Sequence, residues 1–157
     1  MSVELLNKDT VVKYLTDKKV ISASDNAEVE VLTGGVSNVV LAITTANQKL
    51  VLKQALAELA VSEKWIADQR RAIVEADAIK LFNQLSPDQV PKLIFLDPER
   101  FILVLERVPV GSTVWKSDLL AGVINPDVGA GLGKTLATWH NYGEVTASAK
   151  IKFMEDK

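Results

Sequence analysis

The sequence predicts an α+β fold built on one five-stranded antiparallel sheet. Segments rich in β-branched and apolar residues come as a group of three and, later, a pair. The connections inside each group are a few residues long, and a parallel crossover needs a dozen or more. A long helical pattern stands between the groups, which suits a helix laid on one face of the sheet. With 157 residues and 48% hydrophobic content, the chain is about one ordinary domain and can bury roughly two thirds of its unfolded surface.

Residues 7–17 read as a short helix, with Asn7 placed to cap it and Val11, Val12 and Leu15 on one side. Glu28-Val-Glu-Val-Leu32 then alternates with period two, the mark of a half-buried strand. Val39-Val-Leu-Ala-Ile43 and Leu50-Val-Leu-Lys-Gln54 complete a three-stranded meander. Residues 67–85 read as a helix begun by Asp68. Lys92-Leu-Ile-Phe-Leu-Asp97 and Phe101-Ile-Leu-Val-Leu105 form a hairpin around Asp97-Pro-Glu-Arg100, where proline is pre-set for a turn. Val108-Pro-Val-Gly-Ser-Thr113 is the best linker in the chain. Short helices over 117–122 and 128–141 follow, so residues 1–108 are expected to form one domain and 109–157 the start of another.

Composition excludes several classes of function. Eighteen basic against twenty acidic residues give a net charge of -2, unlike the clustered basic surface of nucleic-acid binders. There is no cysteine and a single histidine, so disulfide scaffolds, thiolate zinc sites and cysteine nucleophiles are ruled out. The amino terminus lacks the apolar stretch of a secretory signal, and no apolar run reaches the ~18 residues of a membrane span. A cytoplasmic protein without membrane or nucleic-acid partners is expected.

Four features carry candidate chemistry. Thr33-Gly34-Gly35-Val36-Ser37-Asn38 joins two antiparallel strands. Paired glycines let backbone N–H groups approach a phosphate closely, with Ser37 and Asn38 as added donors, or they serve only the turn. Lys53 interrupts an apolar strand, on the face of Val51 and Ala55; a solvent-facing edge lysine is the plain alternative. Glu75 falls inside the helical stripe of Ala72, Ala76, Ile79 and Phe82. A carboxylate there needs a partner unless it reaches water. Arg70, Arg71 and Lys80 lie off that stripe, so Lys53 is the natural partner. Last, the apolar strand ending Leu105-Glu106 runs straight into the linker, leaving backbone groups at a junction where a flat heterocycle can bind.

Gly129-Ala-Gly-Leu-Gly-Lys-Thr135 is a decoy. A phosphate-binding G-x-x-x-x-G-K-[ST] loop requires glycine where Val128 stands, and no strand precedes it. Leu132, Leu136 and Trp139 read instead as a helix packing face. Trp65 and Trp115 read as packing residues too, and His140 as structural.

Taken in order, a glycine hairpin, a strand lysine, a helix glutamate and a strand running into a linker resemble the ATP-holding lobe of a kinase. Thr33-Gly-Gly-Val-Ser-Asn-Val-Val40 is similar to the nucleotide loop of the phosphotransferase enzyme family, which includes aminoglycoside phosphotransferases and methylthioribose kinase. Leu52-Lys-Gln-Ala-Leu56, Trp65, Arg71 and Glu75-Ala76 resemble the methylthioribose kinase side of it. Residues 28–109 carry the match, and Leu132-Gly-Lys-Thr-Leu-Ala-Thr-Trp-His140 resembles the first large helix of the second lobe.

The resemblance implies a protein-kinase-like amino-terminal lobe followed by the first helices of a truncated second lobe. It implies that Lys53, held by Glu75, contacts the α- and β-phosphates of ATP, and that Gly34, Gly35, Ser37 and Asn38 cover them. It implies that the adenine meets the Val108 N–H and the Glu106 carbonyl beyond Leu105. The family's His-x-Asp…Asn loop and later magnesium-binding Asp have no counterpart, since the one histidine reads His140-Asn-Tyr-Gly-Glu144 and the chain stops at Phe153-Met-Glu-Asp-Lys157. The expectation is therefore an ATP-binding piece of a small-molecule kinase, not catalytic alone, with Mg2+ ligands and acceptor contacts in the missing lobe. Its apolar tail helices would be free to self-associate. The alternative is a non-catalytic α+β binding or dimerisation module.

Overall fold

The computed structural model describes residues 4–109 and 111–145. The chain divides into two compact units: one runs to Leu81 and resumes over Pro91–Val108, and the other comprises Phe82–Val90 and the chain from Pro109 onward.

In the first unit, helix α1 spans Lys8–Asp17. The Asn7 side chain accepts hydrogen bonds from the Asp9 and Thr10 N–H groups, and the Thr10 hydroxyl accepts one from the Asn7 N–H. This reciprocal cap satisfies N–H groups that a helix start otherwise leaves open. Strands β1 (Glu28–Val31), β2 (Asn38–Thr44) and β3 (Lys49–Ala55) form the expected meander. Helix α2 (Arg71–Leu85) follows, then β4 (Leu93–Asp97) and β5 (Ile102–Glu106). Every pairing is antiparallel, in the order β1-β2-β3-β5-β4, so β3 is the central strand.

The sheet is covered on both faces, where the sequence suggested one packed helix. Leu41, Ile43, Leu50, Leu52, Ile102 and Val104 face α1 and bury Val11, Tyr14 and Leu15. Alternate residues on the other side, Ala55 and Leu103, meet Ala72 and Ala76 of α2. The fully buried Gln54 side chain belongs to the α1 face. It accepts from the Leu6 N–H and donates to the Glu4 carbonyl, tying the chain before α1 to the middle of β3.

Two boundaries differ from the sequence reading for clear reasons. Helix α2 begins at Arg71 rather than 67, because Ile66 still pairs with Glu58 and the Ala67 N–H donates to Ala57. Asp68 then turns the chain by accepting from the Arg70 N–H. Strand β5 begins at Ile102 because Phe101 has φ of 53°, a left-handed conformation that closes the hairpin rather than extends it.

In the second unit, helix α3 (Trp115–Leu120) and helix α4 (Pro126–Val145) start two residues before the predicted spans. Proline is tolerated at a first helical position, where its missing N–H is no loss. The Phe82 ring stacks on Trp139 with centroids 4.0 Å apart, and the Trp139 indole N–H donates to the Ser86 hydroxyl. Phe82, at the last turn of the α2 stripe, thus packs within the second unit. Gly129–Thr135 lie within α4, where the Thr135 hydroxyl donates to the Gly131 carbonyl. Leu132 and Leu136 are 44% and 41% exposed, contrary to the packing face expected of them. His140 is exposed on α4. The chain end at 146–157, including Phe153-Met-Glu-Asp-Lys157, lies outside the described residues. No helix among the described residues is long and apolar enough to cross a membrane.

Candidate functional site

The central position of β3 places Lys53 away from any sheet edge. Its strand neighbours are Val40 of β2 and Leu103 of β5, so its side chain rises from the face that α2 covers. The Lys53 ammonium pairs with a carboxylate oxygen of Glu75 on α2. The two side chains are 25% and 37% exposed, so the pair sits at the margin of the helix stripe with one side open to solvent. Both properties weighed for Glu75, a partner and access to water, hold together. An ion pair left partly open is an adaptable arrangement, since the ammonium keeps donors for a second anion.

The glycine loop enters this site from β2. Asn38 opposes Ala55, two residues beyond Lys53 along β3. Gly34 has φ of 102°, which an L side chain rarely adopts, whereas Gly35 does not. Neither glycine is crowded, and a Cβ at either meets nothing within 4 Å, so the space over the loop is open. The loop is braced from behind: the Ala60 N–H donates to the Val36 carbonyl and the Leu56 N–H to the Ser37 carbonyl. The Asn38 side-chain amide donates to the Ser37 hydroxyl at 3.0 Å, so these two predicted donors are partners of each other. The Ser37 hydroxyl retains its own proton for a further acceptor.

Glu106 closes β5 opposite Leu50, with its N–H donating to the Lys92 carbonyl, and its side chain is exposed. Val108 is exposed just before the linker residue Pro109. Along β3, the strand-end backbone at Leu50, then Lys53, then the glycine loop beside Ala55 follow one another. At about 3.3 Å per residue that row is roughly 16 Å long.

Two residues join the site that sequence reasoning did not give a role of their own. Arg71 donates to the carbonyls of Ser37, Leu56 and Asp68 at 2.6, 2.8 and 2.8 Å. Gln69 donates through its side-chain amide to the Ala55 carbonyl at 2.7 Å. Arg71 stands one helical turn before Glu75, which was the available signal; its partners are backbone carbonyls, which no residue pattern announces. Trp65, expected to be packed, is 63% exposed on the segment between β3 and α2. Among the described residues no three His, Cys, Asp or Glu side chains gather as metal ligands.

No family model matches the chain. Among curated proteins, the methylthioribose kinase of Bacillus cereus (strain G9842) is 29% identical over 133 residues, which is 84% of this chain and 34% of that protein. The methylthioribose kinase of Enterobacter sp. (strain 638) is 31% identical over 117 residues, 73% of this chain and 29% of that protein. Over most of its length the chain is thus similar to part of these methylthioribose kinases. The methylthioribose kinase of Citrobacter koseri, 32% identical over 95 residues, covers 60% of this chain and 24% of its own length. The chain spans about a third of the length of the curated relatives it matches. Their shared name agrees with the methylthioribose kinase side of the motif resemblance.

Proposed function

We infer that this chain is the ATP-binding, amino-terminal portion of a small-molecule kinase, with residues 1–108 forming a kinase-like lobe and 109–157 the linker and the start of a second lobe. The observation that carries the reading is the Lys53–Glu75 pair, set between the glycine loop and the end of β5 along one central strand. In this reading Lys53 donates to the α- and β-phosphates while Glu75 holds the ammonium in place. Backbone N–H groups of Gly34 and Gly35, with Ser37 and Asn38, cover the phosphates. The adenine donates to the Glu106 carbonyl and accepts from the Val108 N–H, with Val51 and Leu105 as apolar surface beside it. Catalysis in such a kinase is mostly positioning and charge stabilisation.

The acceptor is a small polar molecule bearing a hydroxyl. A thiosugar such as methylthioribose leads the aminoglycoside and amino-alcohol classes, because the relatives carry that substrate in their name. Mg2+ enters with ATP, and its protein ligands are expected in the longer part of the family's chain. The only histidine is followed by Asn141, without the Asp that would orient the acceptor hydroxyl. Phosphoryl transfer is therefore not expected of these 157 residues by themselves. A cytoplasmic setting, where ATP is abundant, suits this role.

A second reading, a binding or dimerisation module, is favoured by one observation. Leu120, Val123 and Ile124, between and around α3 and α4, are exposed apolar side chains that could meet a second copy. Calorimetric titration separates the two. The kinase reading expects one MgATP site on the chain and no ADP release with methylthioribose present. Absence of MgATP binding, with a dimer in solution, would leave the module.

A further inference from the structure

We propose that Arg71 is a positioning residue that sets the glycine loop over Lys53, an inference that rests on the ATP reading of this site. Its guanidinium reaches three backbone segments at once: the loop end at Ser37, the chain just past β3 at Leu56, and the turn before α2 at Asp68. One nitrogen, Nη2, serves Ser37 and Leu56, and the other, Nη1, serves Asp68. The Ser37 carbonyl also accepts from the Leu56 N–H at 3.0 Å, so both of its lone pairs are engaged. The loop end has little freedom left to move away from β3.

The place of Arg71 on α2 gives this contact its consequence. Arg71 and Glu75 are one turn apart and lie on neighbouring positions of the helix surface. The helix therefore meets the sheet through two polar rungs, Glu75 to Lys53 and Arg71 to Leu56 and Ser37. The first rung orients the ammonium that would hold the phosphates; the second fixes the backbone that would cover them. A shift of α2 along its axis must move both together. The guanidinium reaches these carbonyls from two separate nitrogens held in a rigid planar fork, whereas a lysine ammonium at the same position directs its donors from a single point on a flexible stem.

The proposal predicts a selective loss. Phosphates lie under the loop, whereas the adenosine part would rest on the end of β5, so Arg71 matters for the first and not the second. Arg71→Ala and Arg71→Lys in the full 157-residue chain are titrated with MgATP and with adenosine, alongside thermal melting. We expect Arg71→Ala to weaken MgATP by about tenfold or more, as misplaced donors to a charged group do, with adenosine affinity unchanged and Arg71→Lys intermediate. If Arg71→Ala does not fold, Arg71→Lys carries the comparison. Equal losses for both ligands, or none, in a folded variant would mean that Arg71 only stabilises the fold, and the positioning role would be overturned. The outcomes separate from the underlying reading: unmodified chain that binds no MgATP overturns the nucleotide site itself, while an intact site with an unchanged MgATP-to-adenosine ratio overturns Arg71 alone.

Discussion

Replacing Lys53 with alanine is expected to remove most of the MgATP affinity of this chain while leaving it folded. The ammonium is the one cation that the central strand raises beside the glycine loop, and it already holds a carboxylate there. A hydrogen bond to a charged group contributes about 1.5–3 kcal/mol, so the loss should be roughly 10- to 100-fold in affinity. The fold should tolerate the change, because Glu75 is more than a third exposed and can turn to water when its partner is gone. Lys53→Ala should melt close to the unmodified chain, without the upward shift that MgATP gives a binding protein. Glu75→Gln is the companion variant: it keeps a hydrogen-bonding group beside Lys53 but releases the charge, so its loss should be smaller. Equal nucleotide-induced melting shifts in unmodified and Lys53→Ala chains would remove Lys53 from the site.

The largest stability effect is expected at Asp97. Its carboxylate is 4% exposed and accepts from the Tyr14 hydroxyl at 2.7 Å, from the Lys18 ammonium at 3.1 Å and from the N–H groups of Glu99 and Arg100. It therefore joins α1 to the β4–β5 turn with one group. Arg100, in that turn, also lies over the Tyr14 ring at 4.9 Å and donates to the Glu4 carbonyl. Asp97→Ala strands the half of this network that is out of water, and should cost about 3 kcal/mol, the range of breaking a buried charged contact. For a chain of this size that corresponds to a fall in melting temperature of roughly 10 °C. Tyr14→Phe, which removes only the hydroxyl, should cost about 1 kcal/mol. The double variant should cost less than the sum, because the two groups share one bond.

The same group sets a dependence on acid. Burial by itself would raise the Asp97 carboxyl, but the Tyr14 hydroxyl, the Arg100 N–H and Lys18 outweigh it and hold it below its ordinary value of 3.8. Burial and the bond to Asp97 push the Tyr14 hydroxyl upward in turn. A carboxyl whose value is depressed by folding adds stability that is fully present above the unfolded value and is lost as pH falls through the folded one. The contribution of Asp97 should thus be constant from neutral pH down to about 4 and disappear below it. Asp97→Asn should flatten that acid limb, and thermal melting from pH 7 to 2 would show it.

How much of this was legible in the sequence follows from what kind of partner each residue has. The strands were legible because apolar alternation needs no knowledge of the rest of the chain, and all five pair as the short connections required. The Lys53–Glu75 pair was legible because a carboxylate near an apolar stripe demands a cation, and Lys53 stood in the middle of the strand beneath it. Arg71 and Gln54 were not, since their partners are backbone carbonyls and N–H groups that only folding brings near. For the same reason Asp97 read as a turn residue, and its bond to Tyr14, 83 residues away, had no local signal. The start of α2 was misjudged because a helix-compatible stretch at 67–70 is held extended and then turned by Ala57 and Asp68. Trp65 reads as a packing residue because tryptophan usually is one, yet here it is exposed on a segment whose backbone bonds run within itself and to the glycine loop.

The measurement that bears most directly on the proposed site is a MgATP titration of the isotopically labelled chain followed at its backbone amides. The expected result is saturable shifts at Gly34, Gly35, Ser37, Lys53 and Val108, with the far face of the sheet around α1 unmoved. Saturable shifts confined to other residues, or none at millimolar MgATP, would contradict a nucleotide site on this strand.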